Sequence, residues 1–398
     1  MRIVVDLFVG TLIAVAVVTG LVWMVGAPGI SYAQDDPATL LEQMSSDDSD
    51  VRLLAVIDAG QLKSAPDEVI DRLLELTLDE SEFVRLGSIR SLTKIGEPVN
   101  VRLEKWMDDD DSLRFTMAME GVRSMGPLGV KWVPKISERL KSDDFRTKMA
   151  SLFTLEAIGP AAEPALDRMI ELLKDPEFQI QQVACRAIAA MGPVAKRAAP
   201  HLAKLVDEDH TVSARTQAII ALGAIGPVEG IDTVGIIRPW LKAFTVTDKE
   251  RSLHALAKLG PLAIDAKDDV EKLMLDASKS VMPNAAYTYW RITGEKTKTM
   301  EVLTSSLADY SFRNTSLIKL GEMGPEAAAA TRQIAEYLSN DEPGIRESAL
   351  YALQRIGPAA GEAIPHVRLV IESDDDLLLR QLAQDVLQAI SAEETADK

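Results

Sequence analysis

Four histidines, one cysteine and a set of acidic clusters are the side chains of this sequence best suited to chemistry, and their spacing assigns them none. His201, His210, His254 and His366 are scattered, and none is followed by Glu. No G-x-S-x-G, Walker loop, H-E-x-x-H or C-x-x-C-H occurs, so esterase, nucleotidase, zinc-protease and c-type haem chemistry lack their residues. Cys185 stands alone, which excludes an internal disulfide framework and a multi-cysteine zinc site; beside an apolar stripe it reads as a buried, inert thiol. Asp47-Asp48, Asp108 to Asp111, Asp143-Asp144, Asp207 to Asp209 and Asp374 to Asp376 could supply oxygen ligands to calcium, but none has the spaced pattern of a calcium loop. Their shared position just ahead of a helix suits capping and solvation better. The expectation is a chain without catalysis, cofactor or metal. What remains is aromatic: Trp132 and Trp240 beside Pro134 and Pro239, and Tyr287, Tyr289 and Trp290 in one stretch. Tryptophan is enriched where proteins grip one another, so these five are the candidate partner-binding residues.

The elements that must position them follow from a recurrence. Gly96, Gly126, Gly159, Gly192, Gly226, Gly260, Gly294, Gly324 and Gly357 follow one another at intervals of 30 to 34 residues, most of them before Pro. A period in that range means stacked supersecondary units, and the phase extends back to Lys63 and forward to Ser391, giving about eleven. Hydrophobic residues make up 47% of the 398 and aromatics only 5%, a core of Ala, Leu, Ile, Val and Met that suits closely packed helices better than sheets. In the unit ending at Gly192, Ile180, Val183, Ala184, Ala187, Ile188 and Met191 fall on one helical face. Gly192 should then take the left-handed C-terminal conformation, with Pro193 stopping the helix. A turn leads to Pro200 and a second helix, His201 to Val206. Eight residues before each anchor stands a small residue, from Ala55 and Ser88 to Ala349 and Ala383, expected to let successive first helices approach closely.

Eleven residues before the anchor a basic residue recurs: Arg52, Arg85, Lys148, Arg215, Lys249, Arg313, Arg346 and Arg380, commonly with an acid five or six positions earlier, as in Asp79 with Arg85. This arrangement resembles HEAT repeats over residues 50 to 391. The segment Gly357-Pro358-Ala359-Ala360-Gly361-Glu362-Ala363-Ile364-Pro365 is further similar to the short bacterial, phycobilisome-lyase-HEAT-like subtype. The resemblance implies an all-α superhelix of helical hairpins whose Asp and Arg side chains knit neighbouring units, with second helices on the concave face. Phe115, Gln181 and Pro283 occupy the basic position in three units, where that ladder should be interrupted. Iron hydroxylases of similar architecture need repeated His-Glu pairs, which this sequence does not contain.

Residues 7–27 carry no charge and are long enough to cross a bilayer, and Ser31-Tyr32-Ala33 resembles a signal-peptidase site before Gln34-Asp35-Asp36. The expected domains are a signal peptide or transmembrane anchor at 1–33, an acidic linker at 34–49, the array at 50–391 and a polar tail at 392–398. The array would then be exported, periplasmic or otherwise extracytoplasmic, or anchored in the membrane by residues 7–27. A formal net charge of −18 opposes nucleic-acid binding, while the acidic clusters along one edge could attract a basic protein. The function expected is a non-catalytic protein-interaction scaffold. Two alternatives are an accessory factor, chaperone-like or lyase-like, with a small-molecule pocket near Tyr287 to Trp290, and a structural envelope spacer.

Overall fold

The computed structural model describes residues 36–391, apart from residues 63, 109–111, 208–211, 277 and 279. The apolar segment 7–27 and the tail 392–398 lie outside the described residues. Among the described residues no helix is long and apolar enough to cross a membrane, and there are no strands, only an isolated bridge between Val228 and Ile231.

Two compact units divide between Leu205 and Val206. In the first, short helices α1 (Pro37–Gln43), α3 (Asp67–Glu75), α5 (Glu97–Met107), α7 (Val133–Arg139) and α9 (Leu166–Leu172) alternate with the generally longer α2 (Ser49–Ala59), α4 (Glu82–Ile95), α6 (Ser112–Ser124), α8 (Phe145–Ile158) and α10 (Phe178–Met191). α11 (Ala199–Asp207) lies at the division. The second unit alternates long α12 (Val212–Ile225), α14 (Val246–Leu259), α16 (Val281–Thr293), α18 (Tyr310–Met323), α20 (Pro343–Ile356) and α22 (Leu377–Ser391) with short α13 (Thr233–Ile237), α15 (Lys267–Leu273), α17 (Lys296–Ser305), α19 (Thr331–Glu336) and α21 (Ile364–Ser373). Helical segments outnumber two per hairpin because most turns are themselves wound as 3-10 helix, as in Gly126–Trp132, Gly192–Ala198 and Gly357–Ala363.

Pro37–Gln43 was expected inside a linker and is a helix. Asp36 caps it by accepting from the N–H groups of Ala38 and Thr39 at 2.8 and 3.2 Å, Pro37 occupies the first turn, and Leu40 and Met44 are buried. The acidic residues on either side had masked this short apolar spacing.

The expected stripe on α10 is buried throughout, from Ile180 to Met191. Each large apolar side chain hidden in this way contributes about 1.5–3 kcal/mol. Gly192 then departs from expectation: its φ of 61° is positive but its ψ of −139° lies outside the left-handed helical basin. Only glycine enters that region readily. Of the recurring glycines whose ψ is known here, Gly294 alone, with φ 73° and ψ 0°, takes the left-handed cap expected of them.

All eleven small residues eight places before the anchors, Ala55, Ser88, Ala118, Ser151, Ala184, Ala218, Ser252, Ala286, Ser316, Ala349 and Ala383, are fully buried. Two of them meet the short-helix layer. Ser316 Oγ meets Ser306 Oγ at 2.7 Å, and the carbonyl of Ala286 accepts from Thr299 of α17 at 3.1 Å. Successive long helices meet at other positions. A Cβ on Gly223 of α12 would lie 2.6 Å from the Cα of Ala255 on α14, and one on Gly321 of α18 2.9 Å from the Cα of Ala352 on α20. Hydroxyls cross the same seams: Ser91 donates to the carbonyl of Val56 at 2.7 Å, Thr154 to Met119 at 3.1 Å and Thr288 to Leu253 at 3.1 Å.

The short helices reach one another differently, through long charged side chains. Arg102 on α5 pairs with Asp71 on α3, Arg197 with Asp167 at 2.8 Å, Lys298 on α17 with Glu271 on α15, and Arg332 with Glu362 at 3.7 Å. Helix spacing is set by the side chains at the contact. Within each unit the long helices therefore form the tighter layer, termed inner below, and the short helices the other, termed outer.

Candidate binding surface

A ladder of charge runs along the edge where short helices turn into long ones. Arg52 on α2 makes a bidentate pair with Asp79, both contacts 2.9 Å, and donates to the carbonyls of Ser46 and Asp47. Arg85 donates to the carbonyl of that same Asp79 at 2.7 Å. Asp79 thus offers its carboxylate to the cation before it and its backbone to the cation after it. Lys148 pairs with Asp175 at 2.7 Å, Lys249 with Asp276 at 2.8 Å, and Arg346 with Asp374 at 2.7 and 2.9 Å. Burial favours the neutral form of Asp79, Asp276 and Asp374, but hydrogen bonds from Arg52, Lys249 and Arg346 and nearby hydrogen-bond donors outweigh it and hold all three carboxyls below their ordinary range.

The irregular rungs are filled in other ways. Gln181 keeps only the carbonyl contact, donating to Asp175 at 2.8 Å. Phe115 lies beneath the guanidinium of Arg139, 5.4 Å from its ring centre. Arg215 finds Lys242 where its acid would stand, 27 residues on. It lies instead on the face of Trp240 at 4.0 Å and reaches Asp248 at 3.3 Å.

The five sequence candidates fall in different places. Trp132 ends the 3-10 turn before α7 with 3% of its surface exposed, and its indole N–H is buried without a partner. It belongs to the core and presents nothing to a partner, because the turn folds it beneath the short helix. Trp240 is half-buried and covers the ladder. Tyr289 is 2% exposed and faces the outer layer, donating to Glu295 at 2.7 Å. That bond, with burial after it, pushes its hydroxyl up to about 12. Tyr287 and Trp290 lie one turn apart on the other face of α16, half-exposed, with ring centres 5.7 Å apart and planes tilted by 55°.

Around that aromatic pair the inner layer brings together residues the sequence reading missed. Lys319 on α18 sits over the Tyr287 ring at 5.0 Å and pairs with Glu322 at 2.9 Å. Arg291 lies 5.9 Å from the ring centre and donates to the Tyr287 hydroxyl at 3.1 Å. Arg355 stands over Tyr351 on α20 at 5.9 Å; burial raises the Tyr351 hydroxyl, against the lowering effect of Arg355, with Glu322 and Tyr287 adding to the rise. His254 on α14 is exposed at its surface, though close-packed neighbours crowd its ring. Desolvation there, then Lys258, Lys319 and Arg251, push it down to about 4, so it is neutral at pH 7. The signal was present in the spacing: His254 and Tyr351 both stand six residues before their glycines and Tyr287 seven.

A shallow depression of about 440 Å³ opens on the outer side, lined by Asp268, Glu271, Lys272, Met274, Leu275, Lys298 and Val302. Its Lys298 and Glu271 are already paired, and neither Tyr287 nor Trp290 lines it, so it is not the pocket expected beside them. Among the described residues no three His, Cys, Asp or Glu side chains gather to hold a metal. The acidic edge is largely engaged: Asp48 and Asp144 cap helices, Asp108 pairs with Lys135 at 2.6 Å, and Asp374 belongs to the ladder.

A sequence profile described as HEAT repeats matches residues 37–123 and 133–223. No curated protein matches in sequence. Among solved structures, yeast importin-beta (Kap95p) is similar over 93% of this chain and 58% of its own, at 13% identity and a TM-score of 0.52. The karyopherin Kap121p, bound to the extreme C-terminus of the protein phosphatase Cdc14p, is similar over 89% of this chain and 49% of its own, at 13% identity and a TM-score of 0.50. The chain thus spans about half the length of these two structures, and at such identity the likeness is one of fold alone. Both profile segments begin on the first residue of a short helix, Pro37 and Val133, and end within a long one. A unit accordingly runs short helix first and closes on its glycine, half a unit out of phase with the sequence reading. In that register, with an Asp and Arg ladder joining the pairs, the chain is a HEAT-repeat protein.

Proposed function

We propose that the chain is a non-catalytic protein-interaction scaffold, held outside the cytoplasm by export or by residues 7–27 as a membrane anchor. The observation that carries this reading is the recurrence of exposed apolar side chains at the first turns of several long helices. Phe83, Phe145 and Phe178 in the first unit and Tyr310 and Leu377 in the second are all 41–70% exposed. Such rows cost solubility unless something covers them. The Kap121p structure, of like fold, is bound to the C-terminus of another protein, which supports a protein partner. A basic partner on the acidic edge has less behind it, since many of those carboxylates serve caps and ladder.

The test is affinity capture with the full-length chain from an extracytoplasmic extract, repeated with Phe145→Ser and Phe178→Ser together. One stoichiometric protein lost from the variant supports the scaffold. Retention of a pigment or metabolite would support the accessory factor, and no partner from either preparation the spacer. N-terminal sequencing and protease accessibility in intact cells test the location: a mature N-terminus near Gln34, or an anchored array open to external protease, is expected.

A further inference from the structure

The inner layer of the second unit gathers positive charge in a protein that is otherwise strongly acidic. Five cations, Arg251 and Lys258 on α14, Arg291 on α16, Lys319 on α18 and Arg355 on α20, stand in the last two turns or so of four successive long helices. Lys258, Arg291 and Arg355 are exposed. Along the same stretch Glu322 is the carboxylate among them, tied to Lys319. Glu250 and Glu347 lie nearer the first turns, and Asp385 on α22, raised by burial, is beyond. Helix C-termini favour cations by themselves. That accounts for the charge but not for the half-exposed rings interleaved with it: Tyr287 and Tyr351 lie beside cations at 5.0 to 5.9 Å, and Trp290 stands 5.7 Å from Tyr287.

We infer that this face of the second unit binds an extended acidic peptide segment of a partner protein, its carboxylates meeting Lys258, Arg291 and Arg355 and its apolar side chains lying on Tyr287, Trp290 and Tyr351. The inference rests on the scaffold reading and names the chemistry of the partner. Charge complementarity carries it: a chain of net charge −18 repels acidic segments everywhere except where cations collect, so the patch both attracts and orients its ligand. Arginine and lysine bind carboxylates through charge-assisted hydrogen bonds, and aromatic faces supply apolar contact at low conformational cost. Four successive helices at roughly 10 Å apart span about 30 Å, the reach of about nine extended residues.

The test uses the full-length chain in mild detergent and three labelled probes followed by fluorescence anisotropy: a nine-residue peptide alternating Glu and Leu, its Lys and Leu counterpart, and a nine-nucleotide oligothymidine. The acidic peptide should bind best, weaken as salt is raised, and lose at least tenfold in affinity when Lys258→Glu, Arg291→Glu and Arg355→Glu are combined. Tyr287→Leu should cost several-fold, and Arg168→Glu on α9 should change nothing. Should the triple variant lose its helical circular dichroism, Arg355→Glu alone decides, with a loss of threefold or more expected. Equal binding of the acidic and basic peptides, an unchanged affinity in the charge-reversed variant, or tighter binding of oligothymidine would each overturn the inference. If a protein partner is captured while the acidic peptide fails to bind, the scaffold stands and this assignment of its ligand falls; if neither binds, both fall.

Discussion

Replacing Gly223 by Ala sets two effects of opposite sign against each other, and the structure says which prevails. In an isolated helix the change is favourable by about 1 kcal/mol. Here the new Cβ would lie 2.6 Å from the Cα, 2.7 Å from the Cβ and 2.9 Å from the carbonyl oxygen of Ala255, whereas carbon atoms in contact rest at about 3.5–4.0 Å. Two of those three atoms belong to the backbone of α14, which cannot rotate aside, so the helices must part by about 1 Å. Overpacking of this kind costs about 1–3 kcal/mol. With the obstacle in the backbone the upper part of that range applies, leaving a net loss of about 1–2 kcal/mol. Gly321→Ala, 2.9 Å from the Cα of Ala352 and 3.2 Å from the Tyr351 ring, should lose less, because part of its obstacle is a side chain. Gly344→Ala meets nothing within 4 Å and should gain up to about 0.5–1 kcal/mol. Urea unfolding followed by circular dichroism separates the three. For a slope of about 2–3 kcal/mol per molar, Gly223→Ala should lower the midpoint by about half a molar and Gly344→Ala raise it slightly. A Gly223→Ala midpoint equal to or above the parent's would refute the claim that the long helices meet backbone to backbone.

The ladder, the buried thiol and the buried phenol give further outcomes. Asp374→Ala leaves Arg346, with 13% of its side chain exposed, without its bidentate partner, and should cost about 1.5–3 kcal/mol by the same urea measurement. Because Asp79, Asp276 and Asp374 are held below their ordinary carboxyl values in the folded chain, their contribution is fully present above about pH 4 and is lost as pH falls through the lowered folded values. Acid unfolding profiles should show a shallower loss in Asp374→Asn than in the parent. Cys185, pushed up to about 12 by burial, should resist a thiol reagent at pH 8 in the native chain and react in one equivalent in denaturant. Tyr289 should be the last of the six tyrosines to ionise in an ultraviolet titration, and Glu295→Gln should lower its value towards the ordinary one.

The architecture was legible because it is written in a repeated signal. Glycines at a fixed period mark helix ends whatever the residues between them, and the stripe from Ile180 to Met191 could only be one buried face. The phase was not legible: a short-long pair and a long-short pair produce the same periodic string, and only the match beginning at Pro37 and Val133 distinguishes them. The recurring small residue eight places before each glycine showed that a position is buried, but not against which layer; Ser306 and Thr299 supply that answer for Ser316 and Ala286. Trp132 misled because a tryptophan beside a proline at a helix start looks exposed until the 3-10 turn carries it inward. The cluster around Tyr287 escaped notice because its members come from four helices, each unremarkable alone, and only stacking in register brings Lys319 and Tyr351 beside it.

The two layers of each unit also differ in how they would answer a load. Glycine-on-alanine seams and crossing hydroxyls leave the long helices almost no room to slide or separate, so that layer acts as a stiff spine. The short helices are linked by pairs such as Arg332 with Glu362, both well exposed, which dissolved ions weaken within a Debye length of about 8 Å at physiological strength. Raising salt should therefore loosen the short-helix side of each unit more than the long-helix side.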